Sequence, residues 1–336
     1  MSGLEGIAIG GLISVGTVGG GITNTGVIEG TNYGIIVNDG LAGLLIPTQV
    51  GGDFNNSGTI AGTGGNPSLD SAVDIAGTVS GNIINSGLIS SDGIAVNVEQ
   101  AGSTLANSVS NSGTIIGADG FLIPTITGSF DNQAGGTITA TGALLTGDAL
   151  SAQSVGGSIV NAGTMSGLNG IEIGGLLTGG TVGGEINNSG LIDSTGALSD
   201  FAIMAQTIGG DFINSGTILG ANDIDAVSIT SILGSATNSG YIDGLGIGLD
   251  APSIAGNFDN TVSGTLAGDT ALNFVTIGGD LTNEGQIDGL TQGILGAGIG
   301  GDFNNSGTIT GTNGNPTCAA PSTSPARLPA ISSIPG

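Results

Sequence analysis

The sequence predicts an all-β protein, a right-handed parallel β-helix (β-solenoid) of about twelve coils. Three observations carry that expectation. The stretch Gly51–Pro67, GGDFNNSGTIAGTGGNP, returns as Gly300–Pro316, GGDFNNSGTITGTNGNP, with fifteen of seventeen positions identical. Its centre, an Asn followed by a small residue, a Gly and an apolar residue, recurs in degraded form along the chain. Successive Asn lie 21 to 32 residues apart, a period that belongs to stacked repeats and not to a globule with one centre. The segments between the turns alternate apolar and polar with a period of two, the mark of β-strands.

The recurring Asn are Asn24, Asn56, Asn85, Asn111, Asn161, Asn188, Asn214, Asn238, Asn283 and Asn305. Asn132 in NQAGG and Asn260 in NTVSG are looser members, so the turn ladder is assigned to the other ten. Segments such as TVGGEIN (Thr181–Asn187) and TIGGDFI (Thr207–Ile213) lead into each Asn. The turn that follows, NSG or a relative, suits residues that tolerate positive φ. A short strand comes next, as in GTIAG, GLIDS and GYIDG. A second turn then leads to strands such as Gly34–Asn38, Gly93–Val98, Gly170–Gly174 and Asp225–Ile229. Stacking the coils at ~4.8 Å places equivalent residues above one another. Ile60, Ile89, Ile115, Ile138, Met165, Ile192, Ile218, Ile242, Leu266, Ile287 and Ile309 then form an inward apolar ladder, with the Asn as a second ladder at the turn. The longer early repeats are expected to bulge as loops around Leu41–Gln49 and Gly64–Ser71.

Composition narrows the core and the partners. Hydrophobic residues make up 38% and aromatics only 3%, which points to a narrow core of aliphatic rows. Charged residues are 8%, and 26 acids face a single basic residue, Arg327, for a net charge of −25. Nucleic acid is excluded as a partner, because neutralising phosphates takes cations, and so is attraction to anionic lipid heads. No run approaches the length of a membrane helix, so no direct membrane insertion is expected. Cys318 is alone, which rules out an intrachain disulfide.

Two features bear on the ends. Met1–Thr31 aligns without a gap to Met165–Thr195, with twenty of thirty-one positions identical, and Met165 sits inside a repeat. The chain is therefore expected to begin partway into a longer protein, which accounts for the lack of a signal-peptide pattern in Met1–Ser14. The repeat domain is assigned to residues 1–316 and an aberrant, disordered tail to 317–336. Regrouping the codons of TCAAPSTSPARLPAISSIPG by one reading frame permits eighteen shifted positions that match Leu69 and Ser71–Gly87. The tail reads as a frameshifted copy of the next coil, and neither Cys318 nor Arg327 is given a function.

The candidate chemistry is sparse. Asp223 and Asp225 are the acids best placed for a hydrolytic pair, which needs two carboxylates roughly 5–10 Å apart. Nothing cationic or aromatic accompanies them to hold a sugar, so no catalytic residue is assigned. Asp53, Asp211, Asp280 and Asp302 share one repeat position, with Glu185 equivalent, and stacked carboxylates suit calcium. The nonapeptide of calcium-binding β-rolls is absent and many coils carry no acid there, so calcium is the lesser reading and no cofactor is assigned. The Gly-rich runs GTVGG and GTGGN lack the Lys and the helix of a phosphate loop and read as turns. A partial Thr row, Thr59, Thr114, Thr137, Thr164, Thr217, Thr265 and Thr308, is interrupted by Leu88, Leu191, Tyr241 and Gln286, which argues against a flat ice-binding face.

The NSGTI and NSGLI units joined by GGDF and GNI segments resemble the passenger regions of bacterial autotransporters and related large β-helical surface adhesins. The resemblance covers residues 1–316. It implies a secreted, cell-surface passenger held through an outer-membrane barrel that this chain does not contain. A structural or adhesive, non-catalytic rod follows from it, with a host or cell-surface glycan or protein, or another copy, as the partner. The competing expectation is a fragment of a β-helical polysaccharide-acting enzyme whose catalytic coils lie outside this chain.

Overall fold

The computed structural model describes residues 5–10, 16–37, 48–64, 70–98, 107–142, 147–174, 179–196, 201–221 and 225–312. Among these the fold is all-β, with no helix. The strands pair in parallel with their equivalents in the neighbouring repeats, which makes the molecule a parallel β-solenoid. One coil shows the plan. Ile186–Asn188 runs to a Ser189–Gly190 turn, Leu191–Ser194 follows, and Ile203–Ile208 returns to a Gly209–Gly210 bend that opens the next coil at Phe212–Asn214. The strands that end in the repeat Asn form a twelve-stranded sheet from Ile22–Asn24 to Phe303–Asn305. Eleven steps of ~4.8 Å give a stack about 53 Å long.

Three apolar rows fill the interior. The first is the predicted ladder, paired residue on residue from Ile60 to Ile309. It begins one coil earlier than expected, at Ile28. The second row runs down the twelve-stranded sheet and includes Phe54, Phe130, Ile159, Phe212, Ala236, Phe258 and Phe303. The third lies on the returning strands, where Phe121 pairs with Val96 on one side and Leu150 on the other.

These rows correct the expectation of a core without large rings. The five largest fully buried side chains are Phe54, Phe121, Phe130, Phe212 and Phe258. A low aromatic fraction hid them, because nearly every Phe points inward. Phe121 meets Phe130 edge to face, with centroids 5.3 Å apart and planes at 89°. Ala236 sits between Phe212 and Phe258, and its small volume gives the two rings room at fixed coil spacing.

The turn glycines are also explained differently. Positive φ is found, among the described glycines, at Gly10, Gly135, Gly147 and Gly174 only. At the NSG turns the constraint is distance. A Cβ on Gly190 would lie 2.0 Å from the Gly163 carbonyl oxygen of the preceding coil, and one on Gly163 would lie 2.1 Å from that of Gly136. Glycine is required there because consecutive turns touch backbone to backbone. A corner likewise divides the expected segment Thr181–Asn187 into Thr181–Val182 and Ile186–Asn188, at Gly183–Gly184.

The expected bulges fall mostly outside the described residues. Residues 41–47 and 65–69 lie there, as does the whole tail 317–336 with Cys318 and Arg327. At their C-terminal ends both segments run into strands. Thr48–Val50 pairs with Thr17–Val18 and Gly77–Val79, and Ser71 opens Ser71–Ile75.

Truncating Phe212 to Ala beside Ala236 is expected to cost about 3–5 kcal/mol. In a stacked array that loss falls on one coil and its neighbours. Limited proteolysis of the Phe212→Ala variant is expected to cut first within that coil, and cleavage spread evenly along the rod would count against this packing account.

Candidate functional site

The repeat Asn side chains form a single continuous column. Asn188 Nδ2 donates to Asn214 Oδ1 at 2.9 Å, and Asn188 Oδ1 accepts from Asn161 Nδ2 at 2.8 Å. The same bond recurs at every step from Asn24 through Asn56, Asn85, Asn111, Asn132, Asn161, Asn188, Asn214, Asn238, Asn260, Asn283 and Asn305, at 2.7–2.9 Å. Asn132 and Asn260, set apart on sequence, stand in the column with the other ten. Their looser turns still close: Asn132 and Asn260 donate to Gly136 O and Gly264 O, four residues on, where Asn188 donates to Gly190 O. The amide also reaches the next coil's backbone, as Asn188 Nδ2 does to Thr217 O at 3.2 Å. Buried amides are tolerable only when both ends are bonded. This column meets that condition by making each Asn the partner of the next.

The proposed calcium residues belong to a second column that the sequence reading missed. Three positions before each ladder Asn, from Asn56 onward, stand Asp53, Asn82, Ser108, Ser129, Ser158, Glu185, Asp211, Ser235, Asn257, Asp280 and Asp302. Their side-chain oxygens accept the backbone N–H of the equivalent residue one coil on. Asp53 takes Asn82 N–H at 2.8 Å, Asp211 takes Ser235 N–H at 2.7 Å and Asp280 takes Asp302 N–H at 2.7 Å. The Ser and Asn members do the same. Glu185, one methylene longer, instead accepts from Asn187 Nδ2 at 3.4 Å. Acids adjoin in this column only as the pairs Glu185–Asp211 and Asp280–Asp302. Among the described residues no group of three or more His, Cys, Asp or Glu is arranged to hold a metal ion. The signal was present as an Asp, Asn, Ser or Glu at a fixed offset, visible once acids and hydroxyls are scored together as acceptors.

A third set of acceptors lies at the turn before the returning strands. Asp119 Oδ1 accepts Gly147 N–H at 2.5 Å and Asp148 N–H at 3.0 Å. Asp148 Oδ1 accepts Asn169 N–H at 3.2 Å and Asn169 Nδ2 at 2.8 Å. Asn169 Oδ1 accepts Phe201 N–H at 2.7 Å. Asp225 serves likewise for Ile247 N–H at 2.9 Å, and burial raises its carboxyl above the ordinary carboxylate range. Asp223 lies outside the described residues, so its pairing with Asp225 does too.

The outward Thr row is in register, with Thr59, Thr114, Thr137, Thr164, Thr217, Thr265 and Thr308 interrupted by Leu88, Leu191, Tyr241 and Gln286. Tyr241 Oη donates to Asp243 Oδ2 at 2.7 Å, and that bond, with burial, lifts the phenol to about 12. A shallow groove of roughly 300 Å³ is lined by Leu122, Pro124, Ser151, Ala152, Gln153, Glu172 and Gly174. Comparison with protein-family models, with curated proteins and with solved structures returned no match.

Asn188→Asp places a carboxylate against Asn214 Oδ1 and Thr217 O, where only a donor fits. A loss of at least about 3 kcal/mol is expected for this buried unpaired charge, against about 1–3 kcal/mol for Asn188→Ala. Denaturant titration of both variants ranks them, and equal losses would refute the donor requirement. Since Asp53, Asp211 and Asp280 already accept backbone N–H groups, a chelator is expected to leave the melting midpoint unchanged. A drop of several degrees that calcium restores would reinstate the metal.

Proposed function

We propose that this parallel β-solenoid is a non-catalytic passenger segment of an exported bacterial surface protein, a rod that extends and presents an outer surface. The observation that carries the reading is the unbroken Asn column, bonded at every step of the stack. Acids that a hydrolase would expose as a pair serve here as acceptors for backbone N–H groups, as Asp53, Asp119, Asp211 and Asp225 do. The outer faces carry Thr, Asn and Ser at coil spacing, which suits many weak polar contacts with a glycan, a protein or another copy. No helix of the described residues is long and apolar enough to cross a membrane.

The reading is tested on cells that carry the natural gene. An antiserum raised against the coils is expected to label intact cells, and brief proteinase treatment of those cells is expected to remove the label. Full protection of the epitope until lysis would overturn the surface assignment. The competing enzyme reading, with its catalytic coils outside this chain, predicts release of reducing ends from polysaccharide by the whole protein that the natural gene encodes. That outcome would overturn the non-catalytic part.

A further inference from the structure

The whole sequence holds three Asn-X-Ser/Thr triplets in which X is not Pro, and all three read Asn-Asn-Ser, at residues 55–57, 187–189 and 304–306. This triplet is the acceptor pattern for an N-linked sugar. In each case the second Asn is a rung of the side-chain column, and the first precedes it on the strand. Strand alternation turns the first Asn outward. In Phe54–Asn56 and Ile186–Asn188 the flanking residues are buried and Asn55 and Asn187 are half-buried, while Asn304 is exposed in Phe303–Asn305. The hydroxyl members Ser57, Ser189 and Ser306 are exposed at the turn.

The geometry around the triplets suits an attached group. Counted along the column from Asn24, they fall on the second, seventh and twelfth of the twelve rungs, five steps apart each time. At coil spacing that interval is ~24 Å, so groups carried there on one sheet face clear one another. The amides differ from those of the column. Asn188 Nδ2 donates to Gly190 O, Asn214 Oδ1 and Thr217 O, whereas Asn187 Nδ2 makes one long contact, to Glu185 Oε1 at 3.4 Å. Beside them in the sheet, Asn55 stands between Thr23 and Ile84, Asn187 between Val160 and Ile213, and Asn304 follows Thr282. Ile84 is 37% exposed, and a sugar ring lying along the sheet from Asn55 covers it with its C–H face.

We propose that Asn55, Asn187 and Asn304 are attachment sites for N-linked sugar, set at even intervals along one face of the rod. The reaction is glycosyl transfer from a sugar activated at its anomeric carbon by a phosphate ester. The Asn Nδ2 forms the new bond to the anomeric carbon, and the bond from that carbon to the phosphate oxygen breaks. The phosphate leaves with the electron pair, and the amide gives up one proton to a base of the transferase. The transferase is a separate enzyme, and this chain supplies the acceptor amide and the triplet that is recognised. The product keeps one amide N–H, which is all that the Asn187 contact with Glu185 uses. A sugar adds hydration without charge to a chain of which only 8% is charged. The inference does not depend on the rod being adhesive.

The test is peptide mapping by mass spectrometry of the protein isolated from cells that carry the natural gene. With Arg327 as the single basic residue, cleavage beside acids replaces trypsin and places the three Asn on separate peptides. Sugar is expected on Asn55, Asn187 and Asn304, with the column residues Asn56, Asn188 and Asn305 bare. Sugar on none of the three overturns the proposal, whether the chain is bare throughout or modified only on Ser and Thr hydroxyls. In the same cells Ser189→Ala is expected to abolish the sugar on Asn187 and to leave Asn55 and Asn304 modified, and Ser189→Thr is expected to keep all three. Sugar that persists on Asn187 in the Ala variant overturns the proposal as well. Should a variant fail to fold, the wild-type map decides. Bare triplets on protein that the antiserum labels on intact cells overturn the sugar alone and leave the surface reading standing.

Discussion

Each coil is joined to the next through an Asn amide withdrawn from water, and that arrangement constrains the rest of the coil. A buried amide needs partners for its oxygen and its N–H groups, and here both come from the equivalent residue one coil away. The condition can be met only if every coil brings its Asn to the same place in the cross-section. Repeat lengths nevertheless vary from 21 to 32 residues between successive rungs. Most of the variation is therefore absorbed at other corners, and the Asn–Gly turn keeps one length except at Asn132 and Asn260, where the Gly lies four residues on. The same requirement explains the turn glycines. Side-chain bonds of 2.7–2.9 Å along the axis force neighbouring turns so close that a Cβ would meet a carbonyl oxygen at 2.0–2.2 Å, as at Gly190 and Gly113.

The charge pattern follows from the same geometry. A stacked fold repeats every side chain at coil spacing, so an acid in each coil would build a column of like charges. This chain dilutes such columns with neutral acceptors. In the column that begins at Asp53, Ser and Asn occupy four successive coils before Glu185. Asp, Asn and Ser do the same work there, because each offers an oxygen to a backbone N–H. Where acids are buried in successive coils, as at Asp119 and Asp148, burial raises their carboxyls above the ordinary range. Among the described acids only Asp70, Asp119 and Asp148 are buried, and the others are partly or fully exposed, where water and salt moderate their charge.

Much of the architecture was legible in the chain. The GGDFNNSGTI unit, its Asn spacing and the two-residue alternation placed the strands, the inward Ile row and the turn column. The misreadings are instructive because each involved contact between coils. Asn132 and Asn260 looked exceptional by local spacing, yet their longer turns bring the same amide to the same point. The glycines were expected to supply positive φ, a property of one residue, and prove to be required by the approach of two backbones. Eight Phe in 336 residues suggested little aromatic packing, but five are fully buried because inward positions recur once per coil. At the GGD position the sequence aligned the acids but could not show that Asp53, Asp211 and Asp280 face backbone N–H groups of the next coil.

The sequence by itself therefore determined the period, the β character, the solenoid class and the residues that fill its main rows. These depend on local alternation and on repetition, both of which are written along the chain. Only the tertiary structure decided which side chains bond across coils, why glycine is needed at the turns, and where a carboxyl loses its solvent. Those properties arise between residues twenty or more positions apart. They depend on a stacking distance that no single repeat contains. GGDFNNSGTI specifies a coil, and the next coil gives its Asn, its Asp and its Gly their roles.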